Sequence, residues 1–334
     1  MNKTFIIAEA GANHDRNKDQ AYELIDVAVK SGSDAVKFQT YSSETQYSKY
    51  TPEFAGYKNI PKLIKDIELP REWQKDLKMY CDDNGIEFMS TPFDERAVDE
   101  LYDLGVKRFK IAGFEATDPR FVKYVASTGL PIIISLGIGS SDKIHFIKEW
   151  IRNVSKEQIT LLHANHAYPT PFEDINLGEL DYLKHWISIH ENMDYGLSDH
   201  TEGILTPPVA VSMGAQVIEK HYTINRKLTG PDHPFAIEPN ELKDMVSNIR
   251  LVETMLGRRN GNSESESNFT MAQRSIIVKG DVKDGETITE KNITTKRPML
   301  ENSIPAIEYY DLIGKKKFNK NLKDDMILTW DDIE

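Results

Sequence analysis

The chain of 334 residues contains a single cysteine, Cys81. An intramolecular disulfide and a cysteine-built metal cluster within one chain are therefore both excluded. Cys81 is expected to be a buried filler. No apolar run approaches the ~18 residues of a membrane-spanning helix. The N-terminal stretch MNKTFIIAEAG carries one lysine and is interrupted by Glu9 before a signal-peptide core forms, so it reads as the first strand of a cytoplasmic protein. Basic residues are also scarce: 41 Lys and Arg face 53 Asp and Glu, a formal charge of −12. With no compact basic run, that balance argues against a nucleic-acid partner or an anionic membrane surface. Any anionic substrate must be held by a few local lysines.

What the chain does have is a repeated pattern. Eight short apolar runs, FIIAE, AVKFQ, FMSTP, FKIAGFE, IIIS, LLHANH, GLSDH and VIEKH, occupy its first three quarters. After each comes a helix-type stretch: Asn17 to Ser31, Lys62 to Asn84, Glu95 to Leu104, Pro119 to Thr128, Ser141 to Asn153, Ile175 to Trp186, Pro207 to Met213 and Pro239 to Leu256. Boundary signals such as Asp118-Pro119 at a start and Gly129 at an end support them. Nearly continuous apolar runs suit parallel strands buried on both faces, and eight βα units over roughly 250 residues is the size of a TIM barrel. A doubly wound open sheet is the alternative, because spacing alone does not show closure. The barrel is expected over residues 1–256. A polar linker, 257–272, opens with GRRNGNSESESN, which has no apolar residue. A β-rich module of residues 273–334 follows, alternating short β-type runs with the turn Lys283-Asp284-Gly285-Glu286.

In a TIM barrel the strand C-termini meet at one mouth, and nearly every run here ends in a reactive side chain. Lys37 and Lys110 lie in apolar runs, where an ammonium can hold phosphate or carboxylate, or form a Schiff base. The bland reading is a solvated or ion-paired lysine. His200 and His221 end neighbouring strands and can share a divalent cation, with Asp199 and Glu219 adding carboxylates or outer hydrogen bonds. Imidazole ligands suit manganese, zinc or iron, whereas magnesium and calcium prefer oxygen. Glu9 and Glu115 are candidates for general acid or base work, or for salt bridges to the lysines. His14, His163 and His166 are weaker candidates near the rim; His145, His185 and His190 fall on surface stretches. Tyr41, Tyr47, Tyr50, Phe54 and Tyr57 crowd the long loop after the second strand, as a substrate lid or as helix packing.

The ordered motifs IIAEAGANHD, AVKFQTY, FMSTPFD, LLHANHAYPTP, GLSDHT, VIEKHYT and GPDHPFAIEP, followed by a module with TTKRP, resemble the sialic acid synthase family over nearly the whole chain. The resemblance implies a TIM barrel followed by an antifreeze-like (SAF) domain. It also implies condensation of phosphoenolpyruvate with an N-acetylmannosamine-type sugar or a 2,4-diamino-6-deoxyhexose, giving a nonulosonic acid and phosphate. Carried over by position, His200 and His221 are the metal ligands, with Mn2+ the expected ion and Mg2+ the alternative. Lys37 and Lys110 hold phosphoenolpyruvate, with Thr91 and Ser135 lining the same pocket. Glu9 and Glu115 are the active-site carboxylates, and Gln39, Tyr168 and Asp232 lie near the sugar. Arg297 is the arginine that reaches the substrate acyl group from the partner subunit of a domain-swapped homodimer.

Three positions depart from the family pattern. KIAGFE places Gly113 where the family commonly has serine, Ser135-Leu136-Gly137 replaces Ser-Thr-Gly, and His166 replaces a polar asparagine or serine. Two phosphate-side hydroxyls are thereby lost and an imidazole gained; each neutral hydrogen bond is worth about 0.5–1.5 kcal/mol, enough to retune binding. KRPMLENSIPA also replaces a Gly-rich KRPG stretch beside Arg297. A Schiff-base aldolase on the same barrel and a non-catalytic sugar-binding homologue are the competing readings.

Overall fold

The computed structural model describes residues 3–53, 58–137, 140–151, 158–188, 193–257 and 263–334. Phe54, Tyr57, Asn153, His190 and linker residues 258–262 lie outside them. The chain divides into two compact units, Met1–Gly257 and Arg258–Glu334.

The first unit alternates strands and helices. Its strands are β1 (Phe5–Gly11), β2 (Ala35–Thr40), β3 (Glu87–Pro92), β4 (Phe109–Ile111), β5 (Ile132–Leu136), β6 (Ile159–Ala164), β7 (Met193–Asp199) and β8 (Val217–His221). Their order is β3-β2-β1-β8-β7-β6-β5-β4. The first and last strands pair in parallel, Phe5 opposite Val217 through Glu9 opposite His221. β3 and β4 lie side by side at the remaining seam. This is a TIM barrel, and the pairing of β1 with β8 rules out the doubly wound sheet.

Local chemistry sets the helix boundaries. Asn17 accepts from the Asp19 and Gln20 N–H groups to open the helix Lys18–Ser31, which Gly32 closes at φ 80°. Asp118 accepts from the Arg120 N–H ahead of Pro119. Two expected helices are shorter than their sequence pattern. The stretch from Lys62 to Asn84 splits into Ile60–Ile67, a 3-10 turn at Arg71–Trp73 and Gln74–Asp83, because Pro70 has no N–H and disfavours helix at the residue before it. The helix expected from Ile175 begins at Glu179, after Asn176 has taken a left-handed φ of 47°. Cys81 is buried on the helix Gln74–Asp83.

The strands alternate their side chains between two environments. Outward residues join the helices in the main core, which includes Ile6, Val36, Phe109 and Ile218. Inward residues Ile7, Ala35, Met89, Ile133, Leu162 and Val217 form a separate apolar plug. Outward-facing Lys220 is an exception to the apolar rule. Its buried ammonium meets Asp199 Oδ2 at 2.7 Å and donates to the Thr201 carbonyl, while Asp199 Oδ1 accepts from the Thr201 N–H and hydroxyl at 2.9 and 2.8 Å.

The second unit is built around β9 (Ser275–Val278) and β10 (Ile293–Lys296), antiparallel with Ile293 opposite Val278. The isolated bridge Ile277–Ile327 brings the tail onto this pair, and the bridges Thr287–Lys317 and Ser303–Thr329 join it to the segments on either side of β10. Ile276, Val278, Ile288, Phe318 and Leu328 form its own core. The expected turn is present, with the Glu286 N–H donating to Lys283 O and Gly285 at φ 77°. The described part of the linker, residues 263–272, carries secondary structure that its composition does not suggest. Ser263 and Glu266 form a reciprocal capping box that opens a helix at Glu264–Ser267. Among the described residues no helix is long and apolar enough to cross a membrane.

Removing one partner of a buried ion pair strands the other charge. Lys220→Met should therefore cost about 3–5 kcal/mol in urea unfolding, and Asp199→Leu added to it should recover most of the loss.

Candidate active site

Above the apolar plug the inward positions, two residues further along these six strands, are polar on five of them. Glu9 follows Ile7, Lys37 follows Ala35, Thr91 follows Met89, Ser135 follows Ile133, Ala164 follows Leu162 and Glu219 follows Val217. These residues line one cavity at the C-terminal mouth, together with Gln39, Lys110, Gly113, His166, Tyr168, Ser198, His200 and His221. Of the candidate site residues, Glu9, Lys37, Gln39, Thr91, Lys110, Ser135, His166, Tyr168, His200, Glu219 and His221 meet at this cavity.

Four buried ionisable side chains form its floor. Lys37 Nζ lies 2.7 Å from Glu9 Oε2 and 3.6 Å from Glu219 Oε2, and Lys110 Nζ lies 3.5 Å from Glu219 Oε1. Lys37 also donates to the Thr91 hydroxyl at 2.9 Å. Gln39 donates to Glu9 at 2.8 Å and Ser198 to Glu219 at 3.0 Å. The environments push the two carboxyls apart. Burial raises Glu9 to about 7 against the pull of Lys37. Burial opposes ionisation of Glu219 too, but the Lys110 and Lys37 ammoniums outweigh it and hold the group at about 2. Burial lowers Lys110, and repulsion from Lys37 adds to the effect against the attraction of Glu219. Burial acts the same way on Lys37, where Glu219 and Glu9 outweigh it and raise the ammonium. The Ser135 hydroxyl is buried beside this layer without a hydrogen-bond partner.

The two histidines stand higher in the mouth, ring centroids 5.5 Å apart. Burial holds both below the ordinary imidazole value, His221 well below, with His200 as the next contributor there. Both rings are therefore neutral near pH 7. His200 Nδ1 donates to the Asn165 carbonyl at 2.6 Å, which leaves the Nε2 lone pair available. His221 Nδ1 is buried without a hydrogen-bond partner and 4.0 Å from Asp232 Oδ2. Two neutral imidazoles with uncommitted nitrogens fit a divalent cation as protein ligands. Among the described residues no group of three or more His, Cys, Asp or Glu is placed to hold one. Tyr168 covers His200 at 4.3 Å between centroids.

The remaining candidates lie elsewhere. Asp232 is adjacent, accepting from the Ala12 N–H at 3.1 Å. Glu115 sits on a 3-10 turn and lines a neighbouring depression with Thr45, Gln46 and Phe93; burial raises its pKa. Arg297 is exposed just after β10 in the second unit. Asp199 faces away from the histidines toward Lys220. His163 is committed to the Ile175 carbonyl, and buried His14, pushed down to about 4, accepts from the Arg16 N–H. His145 and His185 are exposed. Tyr41 is buried and donates to the Ile67 carbonyl, whereas Tyr50 is 81% exposed. Sequence reasoning missed Gly11, where a Cβ would fall 2.6 Å from Asp232 Oδ2 and 3.2 Å from the His221 ring. It also missed Ser198, two residues before His200 and so on the same face.

A TIM barrel whose mouth gathers buried lysines, carboxyls and two neutral imidazoles defines the class, a barrel enzyme. The chain belongs to the NeuB family, which it matches over residues 24–261, and it carries a SAF domain at residues 273–334. The N,N'-diacetyllegionaminic acid synthase of Campylobacter jejuni is 37% identical, covering 98% of this chain and 99% of that protein. A pseudaminic acid synthase from the same species is 32% identical over 94% of this chain and 92% of its own length. Among solved structures, the N-acetylneuraminic acid synthetase of Leptospira borgpetersenii superposes with a TM-score of 0.73 at 32% identity, covering 80% of this chain and 90% of that one. These relatives are nonulosonic acid synthases.

Because Glu9 binds its proton more tightly folded, at about 7 against an ordinary 4.5, its stabilisation is present below pH 4.5 and is lost as pH rises to about 7. Glu219 has the opposite sign: its stabilisation is fully present above pH 4.5 and is lost only as pH falls toward about 2, outside this window. Relative to Glu9→Gln, the unmodified protein should lose up to about 3 kcal/mol of stability between pH 4.5 and 7, measured by urea unfolding across that window.

Proposed function

We propose that this protein joins phosphoenolpyruvate to an N-acylated hexosamine, such as N-acetylmannosamine or a 2,4-diacetamido-6-deoxyhexose, and releases phosphate to give a nonulosonic acid. The observation that carries this reading is the pair of buried ammoniums, Lys37 and Lys110, beside the partnerless Ser135 hydroxyl and below two neutral imidazoles. Two ammoniums balanced by Glu219 and a half-protonated Glu9 leave the floor short of negative charge. A phosphate and a carboxylate supply it.

In the reaction, C3 of phosphoenolpyruvate forms a bond to the sugar aldehyde carbon, whose oxygen takes up a proton. Water adds at C2, and the resulting tetrahedral centre expels phosphate. Lys37, Lys110 and Ser135 hold the charged groups in place as the carbon–carbon bond forms, and Thr91 fixes Lys37. Glu9, which titrates near 7, gives or takes a proton at the reacting oxygen. Gln39 orients that carboxyl, and Tyr168 and Asp232 border the sugar side. A divalent cation, Mn2+ in first place and Mg2+ in second, would be held by His200 and His221 and supply Lewis-acid polarisation of the aldehyde. Arg297 completes the site from the other subunit of a swapped dimer and meets the acyl group. The lowered Lys110 ammonium is the one feature that favours imine chemistry instead.

His200→Ala and His221→Ala should each lower phosphate release by more than about 100-fold, chelation should abolish it and Mn2+ restore it. Turnover unchanged by chelation would remove the cation from the scheme. Borohydride added with both substrates should leave every lysine unmodified, because an adduct on Lys110 is the mark of the aldolase reading. Co-expressing Arg297→Ala with His221→Ala chains should recover about a quarter of normal activity, since half the dimers are mixed and a swapped arm gives each one complete site. An arm acting within its own subunit gives none.

A further inference from the structure

His166 follows β6, yet its ring lies over the ends of the two preceding strands. A Cβ built on Gly113, beyond β4, would fall inside the ring at Nε2 and Cε1. One built on Gly137, beyond β5, would fall inside it at Cε1 and Nδ1. Neither glycine has a left-handed backbone, so conformation does not require glycine at either position; with the imidazole in this place, neither has room for a side chain. Phe114 completes the slot, stacked on the ring at 4.4 Å between centroids and 25° between planes. The ring and Gly113 line the same cavity wall as Lys110 and Ser135.

The departures at 113 and 166 are therefore one structural event. A serine at 113 and an imidazole at 166 claim the same space, so the β4 hydroxyl and the β6 ring are alternatives. We infer that Gly113, Gly137 and His166 form one coupled substrate-selecting unit, in which the His166 ring replaces the lost β4 hydroxyl as the contact to the phosphate of phosphoenolpyruvate beside Lys110. This rests on the proposed reaction for the identity of the ligand; the coupling itself rests on packing alone. The ring also takes volume from this side of the cavity, so selection there acts on the phosphoenolpyruvate end and leaves the sugar end, bordered by Tyr168 and Asp232, to other residues.

The test is a double-mutant cycle on the full chain with Gly113→Ser and His166→Asn, read by thermal unfolding and by calorimetric titration of phosphoenolpyruvate. His166→Asn, which only shortens a side chain, should weaken phosphoenolpyruvate binding about tenfold and leave the KM for the sugar within about twofold. Gly113→Ser alone should lower the melting temperature and weaken binding further, and the double variant should regain both, to within about threefold of the parent in affinity. Additive melting shifts would overturn the coupling, and unchanged affinity in His166→Asn would overturn the phosphate contact. Neither of these two overturning readouts depends on turnover; only the KM comparison does. Tight phosphoenolpyruvate binding without phosphate release from any sugar would instead reject the proposed reaction and leave this inference standing.

Discussion

Everything at the mouth of this barrel depends on holding two ammoniums out of water. Lys37 and Lys110 are each only 2% exposed and rest on a plug of Ile7, Ala35, Met89, Ile133, Leu162 and Val217. A charge moved into such surroundings loses several kcal/mol of hydration unless partners return it. Glu219 answers both lysines at once, and that double attraction is why its carboxyl stays ionised despite complete burial. Glu9 has Lys37 alone, loses to burial, and is left near 7. Two carboxylates one strand apart thus acquire opposite protonation behaviour from the same pair of cations, which is the arrangement that acid–base chemistry at neutral pH requires.

The same parsimony shapes the upper rim. Burial keeps His200 and His221 uncharged, which spares a floor already holding two ammoniums from further positive charge. The Asn165 carbonyl fixes one tautomer, and Gly11 gives Asp232 room to approach the other ring. Outside the barrel wall, Lys220 and Asp199 neutralise each other on the opposite faces of the same two strands. β7 and β8 thus carry two separated polar systems, one facing the cavity and one facing the helices.

Much of this was legible in the chain. The alternation of apolar runs and helical stretches predicts the eight βα units, and the module begins where β-type runs resume after the linker. Strand parity carries further information about the site. Counting by two from Val217 places Glu219 and His221 inside and Lys220 outside; counting by two from Gly196 places Ser198 inside and Asp199 outside. That count alone separates Glu219 from Asp199 as a neighbour of the lysines. Pro70 likewise marks the break in the long helical stretch after the second strand.

The sequence by itself determined the class of fold, the identity of the strand-end residues and the family, because periodicity, boundary chemistry and ordered motifs are local properties of the chain. Closure through β1 and β8, the sharing of Glu219 between two lysines and the opposite titration of Glu9 and Glu219 were decided by the tertiary structure. Each depends on distances between residues far apart in the chain and on how much water reaches them. The meaning of Gly113 belongs there too: in the sequence it is a small residue at a turn, and only the ring of His166 lying over it shows that a serine there and an imidazole at 166 exclude each other.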